Sequence, residues 1–359
     1  MMGINSQKQL TNILEHFNLP QLAYTFSALH IGYINDTYLV SFDDRPEYIL
    51  QRINHGVFED IDGLMGNIDH ALGHLISDDY RKVELIRTLS NKTYWSEAAG
   101  YWRIMTYIEN STTYNTTTSP EIAFEAGRII STFHTLLESA NKEQYVDTIP
   151  DFHSLDLREE QFKKALSTST TEKKEVASRA ISFANEMLLH LKTMAPKELP
   201  IRICHNDTKF NNILFSKETQ EALCLIDLDT LMKGYFHYDF GDAVRTIVNT
   251  APEDEQDHNK ITFEKDLFEA FIKGLADNNP FLTAEEIKAL PYGALLLPFL
   301  HGIRALTDYL NGNIYYKVSY ENQNLDRCLS LFDFNNKAFN EVDYMTKVVS
   351  NLLHPTFSS

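Results

Sequence analysis

Cysteine is scarce in this chain: its 359 residues hold three, Cys204, Cys224 and Cys328. None pair as C-x-x-C, the number is odd, and two sit in apolar runs. A disulfide framework or a zinc site is therefore not expected, and buried thiols in a reducing compartment are. Glycine and proline are also few, 14 and 11, and no G-x-G-x-x-G is present to cradle phosphates. Positive charge is short too. With 32 basic against 50 acidic residues the formal net charge is −18, the wrong sign for neutralising a phosphate backbone, so no nucleic-acid partner is expected. The N-terminus lacks the apolar core of a signal peptide. The longest apolar run, around Ala294–Leu300, is short for a bilayer span and contains Pro298. A cytoplasmic protein with no membrane partner is the expectation.

What is present fits a soluble enzyme. Hydrophobic residues make up 43% of the chain, enough for a large core, and the length suits two lobes around one cleft. Residues 22–53 read as strands: Tyr33 to Phe42 is β-branched and aromatic, Asp43-Asp44-Arg45-Pro46 is a turn, and Tyr48 to Ile53 returns. Leu64, Ile68, Leu72 and Leu75 mark one face of a helix over 57–76. Two more strands follow at 82–86 and 101–105. The character changes at Tyr107-Ile108, and a Ser/Thr/Asn-rich connector runs to Pro120. Helices are expected at 123–134, in two pieces over 158–194, and from about 263 to 354, with Thr283-Ala284-Glu285-Glu286 as a capping box. The fold class is α+β: a β-rich region over 1–108 and a mainly helical one over 109–359.

The chemistry concentrates in Cys204-His205-Asn206-Asp207-Thr208-Lys209-Phe210-Asn211-Asn212, followed by Leu225-Ile226-Asp227-Leu228-Asp229. An Asn five residues after an Asp, then a short strand, a turn, and a second strand ending in an Asp is the spacing that phosphoryl transfer needs. One carboxylate orients the attacking hydroxyl, and two oxygen donors hold a magnesium ion on nucleotide phosphates. Asp207 takes the first role, Asn212 and Asp227 the second. His205 braces the loop, and Asp239, in Tyr238-Asp239-Phe240-Gly241-Asp242, anchors it; Asp242 is read as structural, with Arg245 a partner for one of the two. Asp229 either touches a substrate hydroxyl or satisfies backbone donors. On an extended segment it would face the same side as Asp227.

These segments resemble the aminoglycoside phosphotransferase and choline kinase superfamily, which has the bilobal protein-kinase-like fold. Within it, His205 to Leu214, Ile226 to Thr230, Tyr48-Ile49-Leu50-Gln51, Arg304 to Tyr315 and Asn324 to Arg327 are similar to the N-acetylhexosamine 1-kinase group. The resemblance spans nearly the whole chain. It implies an enzyme that uses ATP and Mg²⁺ to phosphorylate the anomeric hydroxyl of N-acetylglucosamine or N-acetylgalactosamine. It also implies Tyr33, Asp207, Asp229, Arg304 and Tyr315 on the acceptor side, and Gly32, Asn35, Gln51, Tyr107 and Ile108 on the nucleotide side. Two departures stand out. Tyr33 replaces the His of the related Gly-His-Ile-Asn, and Gln51 stands where most kinases carry a strand lysine, as it does in the related sugar kinases. Two alternatives stay open: another small-molecule kinase of the superfamily, acting on an amino alcohol or aminoglycoside, and a non-catalytic nucleotide-binding protein. A protein kinase is not expected, because no Ala-Pro-Glu segment follows Asp227. The oligomeric state is left open.

Overall fold

The computed structural model of the chain describes residues 6–29, 34–98, 100–278 and 282–354. Its first region contains α1 (Gln7–Leu14), β1 (Thr25–Leu29), β2 (Asp36–Phe42), β3 (Arg45–Ile53), α2 (Ile61–His74), β4 (Leu85–Ile86), β5 (Trp95–Glu97) and β6 (Gly100–Thr106). The strands form one antiparallel sheet in the order β1-β2-β3-β6-β4, with β5 also on β6. The β2–β3 turn is shorter than expected. Only Asp43 and Asp44 take left-handed backbone, with φ of 50° and 60°. Pro46 lies in β3, where a register shift opposite Val40 and Ser41 spares it a ladder bond.

Side chains alternate across this sheet. Tyr38, Val40, Leu50, Trp102 and Ile104 point to one face and bury against Leu10, Ile13 and Leu14 of α1. The other face carries a polar row, Thr37–Gln51–Arg103, paired strand to strand, with Leu39–Ile49–Met105 beside it. This face looks towards α2, whose Leu64, Met65 and Ile68 belong to the larger core shared with the helical region. Asn67 of α2 ties the two regions further: its amide donates to the carbonyls of Val146 and Leu231, both at 2.8 Å.

The second region comprises β7 (Ser111–Thr112), α3 (Pro120–Leu136), α4 (Leu155–Thr168), α5 (Thr171–Val176), α6 (Ser178–Met194), β8 (Arg202–Cys204), β9 (Ile213–Ser216), β10 (Ala222–Leu225), β11 (Met232–Gly234), α7 (Phe236–Ile247), α8 (Lys265–Asp277), α9 (Ala284–Leu310), α10 (Gln323–Asn340) and α11 (Val342–Leu352). The α+β architecture read from the sequence is thus the observed one. β7, β9 and β10 make one small sheet, and β8 and β11 another. All three cysteines are free and buried.

α9 is the central strut. Thr283 and Glu286 form the expected capping box. The apolar run around Ala294–Leu300 was expected to be too short for a bilayer, yet Pro298 does not end the helix. It extends to 27 residues, long and apolar enough to cross a membrane, but 89% of its most apolar window is buried inside the fold. Near Pro298 the side-chain amide of Asn335 donates to Leu295 O at 2.6 Å, partnering a carbonyl in the stretch the proline disturbs. α7 lies directly on α9. A Cβ on Gly241 would come within 2.0 Å of Gly293 O, so the helix backbones touch there and fix α7 beneath the loop that follows β8.

Candidate active site

The loop after β8 is held by its backbone. Asp239 of α7 is fully buried. Its carboxylate accepts from His205 N at 2.8 Å and Asn206 N at 2.6 Å, and lies 2.8 Å from His134 Nε2. Asn206 is left-handed, φ 63°, a conformation Asn tolerates better than most residues. Its amide donates to the carbonyls of Cys204 and Thr230, and its own carbonyl lies 3.1 Å from His153 Nε2. His205 Nε2 lies 2.8 Å from Ile226 O, tying the loop to the end of β10. His134, Cys204 and Asp239 place ligand-type atoms within 4.8 Å of one another, but Asp239 is already spent on the loop and burial pushes the Cys204 thiol well up, so this trio braces the site.

With its backbone pinned, Asp207 is half-buried. Asn212 donates from its amide nitrogen to Asp207 O at 2.8 Å and to Asp207 Oδ2 at 2.9 Å. Lys209 Nζ lies 2.8 Å from the same carboxylate oxygen. Burial pushes the Asp207 carboxyl up, but the charge and hydrogen bond of Lys209 outweigh it, and the group ends below the usual carboxylate range. Lys209 in turn is pushed up: burial works against its charge, while Asp207 and Asp227 favour it.

Asp227 and Asp229 part company. The segment was expected to be extended, with both carboxylates on one side. Instead Asp227 is left-handed (φ 62°, ψ 56°) and residues 228–230 form a 3-10 turn. Asp227 is exposed, and among the described residues no donor hydrogen-bonds its carboxylate. The enclosing protein, with Asp229 and Asp207 adding negative charge, pushes it up to about 6 against the pull of Lys209 and Arg103. Asp229 is turned inward. Its Oδ1 lies 2.5 Å from Arg103 Nη2, a buried ion pair, and its Oδ2 accepts from Asn35 Nδ2 at 2.6 Å. Gln51 is equally committed, accepting from Arg103 Nε and Nη2 at 3.0 and 2.7 Å and donating to Thr37 Oγ1 at 3.1 Å.

Arg304 stands on α9 with its guanidinium 5.4 Å from the centre of the Phe152 ring. Arg158 is close by: burial and the charge of Arg304 bring its pKa down to about 10. Tyr315 lies beyond the end of α9 and is 62% exposed. Its loop is clamped by Asp308, which accepts from the backbone N–H groups of Ile314, Tyr315 and Tyr316 at 3.0, 2.8 and 2.9 Å. The structure therefore gathers Asp207, Asn212 and Asp227 with Lys209 on one side, and Arg304 with Phe152 and Arg158 on the other. The link is His153, which bonds Asn206 O and feels the charge of Arg304. Tyr107 donates its N–H to Glu47 O, and Ile108 is buried with its carbonyl taken by Ser111 Oγ. Gly32 and Tyr33 lie outside the described residues.

Sequence reasoning missed Lys209, Arg103, Arg158 and Asp308. Lys209 sat inside the loop already singled out, two residues after Asp207, the span of one turn of side-chain reach. Arg103 was also signalled, as a charge between Trp102 and Ile104 in a strand where it must point into a half-buried face. Arg158 and Asp308 carry no comparable local sign, since each depends on a loop folding back onto a helix.

A family model described as the phosphotransferase enzyme family matches residues 25–270. The chain belongs to this family. It is a phosphotransferase, and the matched stretch runs from the sheet through the loop of Asp207, Asn212 and Asp227 to α8. Solved structures share the fold over nearly their whole length. A microcompartment-associated aminopropanol kinase is 14% identical, with a TM-score of 0.63, covering 94% of this chain and 98% of its own. A spectinomycin phosphotransferase, solved with ADP and spectinomycin, is 14% identical, with a TM-score of 0.60 and coverage of 96% and 99%. A choline kinase from Cryptosporidium parvum Iowa II is 13% identical, with a TM-score of 0.59 and coverage of 96% and 99%. At these identities the likeness is one of fold, and the fold is protein-kinase-like.

Proposed function

We propose that this phosphotransferase moves the γ-phosphoryl group of ATP to the anomeric hydroxyl of an N-acetylhexosamine, giving the sugar 1-phosphate. The observation that carries the phosphoryl-transfer part is the Asn212–Asp207 contact. Because the amide nitrogen of Asn212 faces Asp207, its oxygen is left as a donor atom, and the Asp227 carboxylate has no hydrogen-bond partner among the described residues. Two free hard-oxygen donors on either side of a lysine fit a magnesium ion carrying nucleotide phosphates. Such an ion, when bound, neutralises charge on the phosphates.

The protein's own groups then have defined work. Asp207, kept ionised by Lys209, accepts a hydrogen bond from the acceptor hydroxyl and orients its oxygen in line with the γ-phosphorus. As the new O–P bond forms and the bond to the bridging oxygen of ADP breaks, the hydroxyl proton passes to Asp207. A carboxylate of low pKa is a weak base for a free hydroxyl, so this transfer is late and orientation is the larger contribution. Lys209 balances charge beside the transferring group. On the nucleotide side, Asn35 stands just before β2, Gln51 lies on β3 inside the sheet, and Tyr107 and Ile108 follow β6 where the chain crosses into the helical region. The apolar row Leu39–Ile49–Met105 offers a surface for a purine ring. Asn35 acts there through Asp229, and Gln51 through Arg103, rather than through free side-chain atoms.

The sugar assignment rests on the resemblance over Arg304–Tyr315 and on the chemistry gathered there. A guanidinium fork suits sugar hydroxyls, and Tyr315 and Phe152 offer apolar faces to a ring. A cationic acceptor such as an amino alcohol or an aminoglycoside would instead meet Arg304 and Arg158, two charges of its own sign. An intracellular setting belongs to the same proposal, since ATP is the donor and the cysteines are free. Incubation of the pure protein with Mg-ATP and a panel of sugars tests the reading. ADP release with N-acetylglucosamine or N-acetylgalactosamine is expected, and none above the water background with any N-acetylhexosamine would overturn it.

A further inference from the structure

Kinases commonly pair a lysine on the third strand with an acid on the following helix, and both must be in place for the nucleotide phosphates to be held. Here the strand position is Gln51, and the helix, α2, meets Arg103 with Met65, whose Sδ is 3.9 Å from Arg103 Nη1. The cation has moved one strand over. Arg103 is the direct cross-strand partner of Gln51, its side chain is 1% exposed, and it meets Asp229 on the turn that presents Asp227.

We propose that Arg103 is the positioning residue that takes the place of the strand lysine. It acts on the metal-binding turn through Asp229 instead of on the phosphates directly. This rests on the reading of Asp227 as a metal ligand. Three features carry it. First, Gln51 has both ends of its amide fixed, on Thr37 and on Arg103, so it sets the plane of the guanidinium; a lysine at 51 would repel Arg103, which makes the two positions one exchange. Second, both Asp229 oxygens are met from the sheet region, by Arg103 and by Asn35, whose own Oδ1 accepts from Asn54 N at 3.0 Å. Third, Asp227 holds a left-handed backbone two residues away. Aspartate tolerates that conformation better than most residues but populates it sparsely, and the anchors on Asp229 help to hold it. Loosening Asp229 therefore loosens the Asp227 carboxylate, and the sheet is wired to the metal turn without a helix acid.

The test needs no acceptor. Binding of Mn²⁺ in the presence of a non-hydrolysable ATP analogue is measured by electron paramagnetic resonance, with thermal melting alongside, for wild type, Arg103→Gln/Asp229→Asn, Arg103→Lys, and the exchange Gln51→Arg/Arg103→Gln. The first variant removes both buried charges together, so neither is stranded. Its Mn²⁺ affinity should fall by about 10- to 100-fold, as for loss of a group that orients a metal ligand. Arg103→Lys, which reaches only one of its two partners, should fall less, and the exchange should recover part of the loss. Wild-type affinity in a folded Arg103→Gln/Asp229→Asn protein overturns the proposal; should that protein not fold, wild-type affinity in Arg103→Lys does so. A wild type that binds no Mn²⁺ with the analogue overturns the metal reading of Asp227 and this inference with it, whereas failure of sugars to be phosphorylated leaves the measurement intact.

Discussion

Asn212 and Asp207 are joined by two hydrogen bonds from a single amide nitrogen, 2.8 Å to the backbone carbonyl and 2.9 Å to the carboxylate. The contact turns the amide nitrogen of Asn212 to Asp207, leaving its oxygen as the atom proposed to meet a metal, and ties Asp207 to it. The five-residue spacing in the sequence exists to allow this closure across the turn.

Replacing Asp207 by Asn keeps the shape and removes the carboxylate proposed as the proton acceptor. Nucleotide affinity should be unchanged and turnover should fall by about 10²- to 10⁴-fold, read by titration with ATP and by steady-state kinetics. Unchanged turnover would remove Asp207 from its role.

Lys209 sets the ionisation of that carboxylate. Its cation holds Asp207 down, so Lys209→Met should let the Asp207 pKa rise. The acidic limb of the kcat/KM profile should then move to higher pH, with the rate lower throughout. A limb that stays in place would mean that Lys209 does not govern Asp207.

Asp308 organises the loop that carries Tyr315. Its carboxylate is nearly buried and accepts three backbone N–H groups and the amide of Asn324. Asp308→Ala strands these donors, at a cost of about 1–3 kcal/mol in stability. The acceptor KM should rise while the ATP KM holds. Equal change in both would place the loop outside acceptor binding.

Two buried histidines, His153 and His237, and the half-buried His301 make the fold sensitive to acid. Burial depresses His153 and His301 to about 4 and His237 to about 3. Below the ordinary value of 6.5 the unfolded chain takes up protons that the folded one does not, so stability falls as pH falls from there towards 4. Each group contributes about 1.4 kcal/mol per pH unit. The depressed carboxylates Asp242 and Glu253 add to the loss only at lower pH, where carboxylates in the unfolded chain protonate. Asp227, pushed up to about 6, works the other way below that pH but is one group against three, so melting temperatures should still drop between pH 6.5 and 5, and a flat profile there would contradict the three rings being held neutral.

The sequence was most readable where function forces local spacing. The loop 205–212, the β2–β3 hairpin and the Thr283–Glu286 cap each follow from residues a few positions apart. It was least readable where tertiary contacts decide. Asp229 looked like a neighbour of Asp227 on a strand. Only the buried Arg103, more than a hundred residues away, shows why it turns inward and why Gln51 is not a lysine. Pro298 reads locally as a break, yet packing on α7 and α10 carries α9 through it.

The most direct measurement of the central claim is nuclear magnetic resonance of the product formed from N-acetylglucosamine or N-acetylgalactosamine with Mg-ATP. The account predicts a single phosphate whose phosphorus couples to the anomeric proton of the sugar. Phosphate on any other hydroxyl, or ATP consumed with the sugar unchanged, would contradict it.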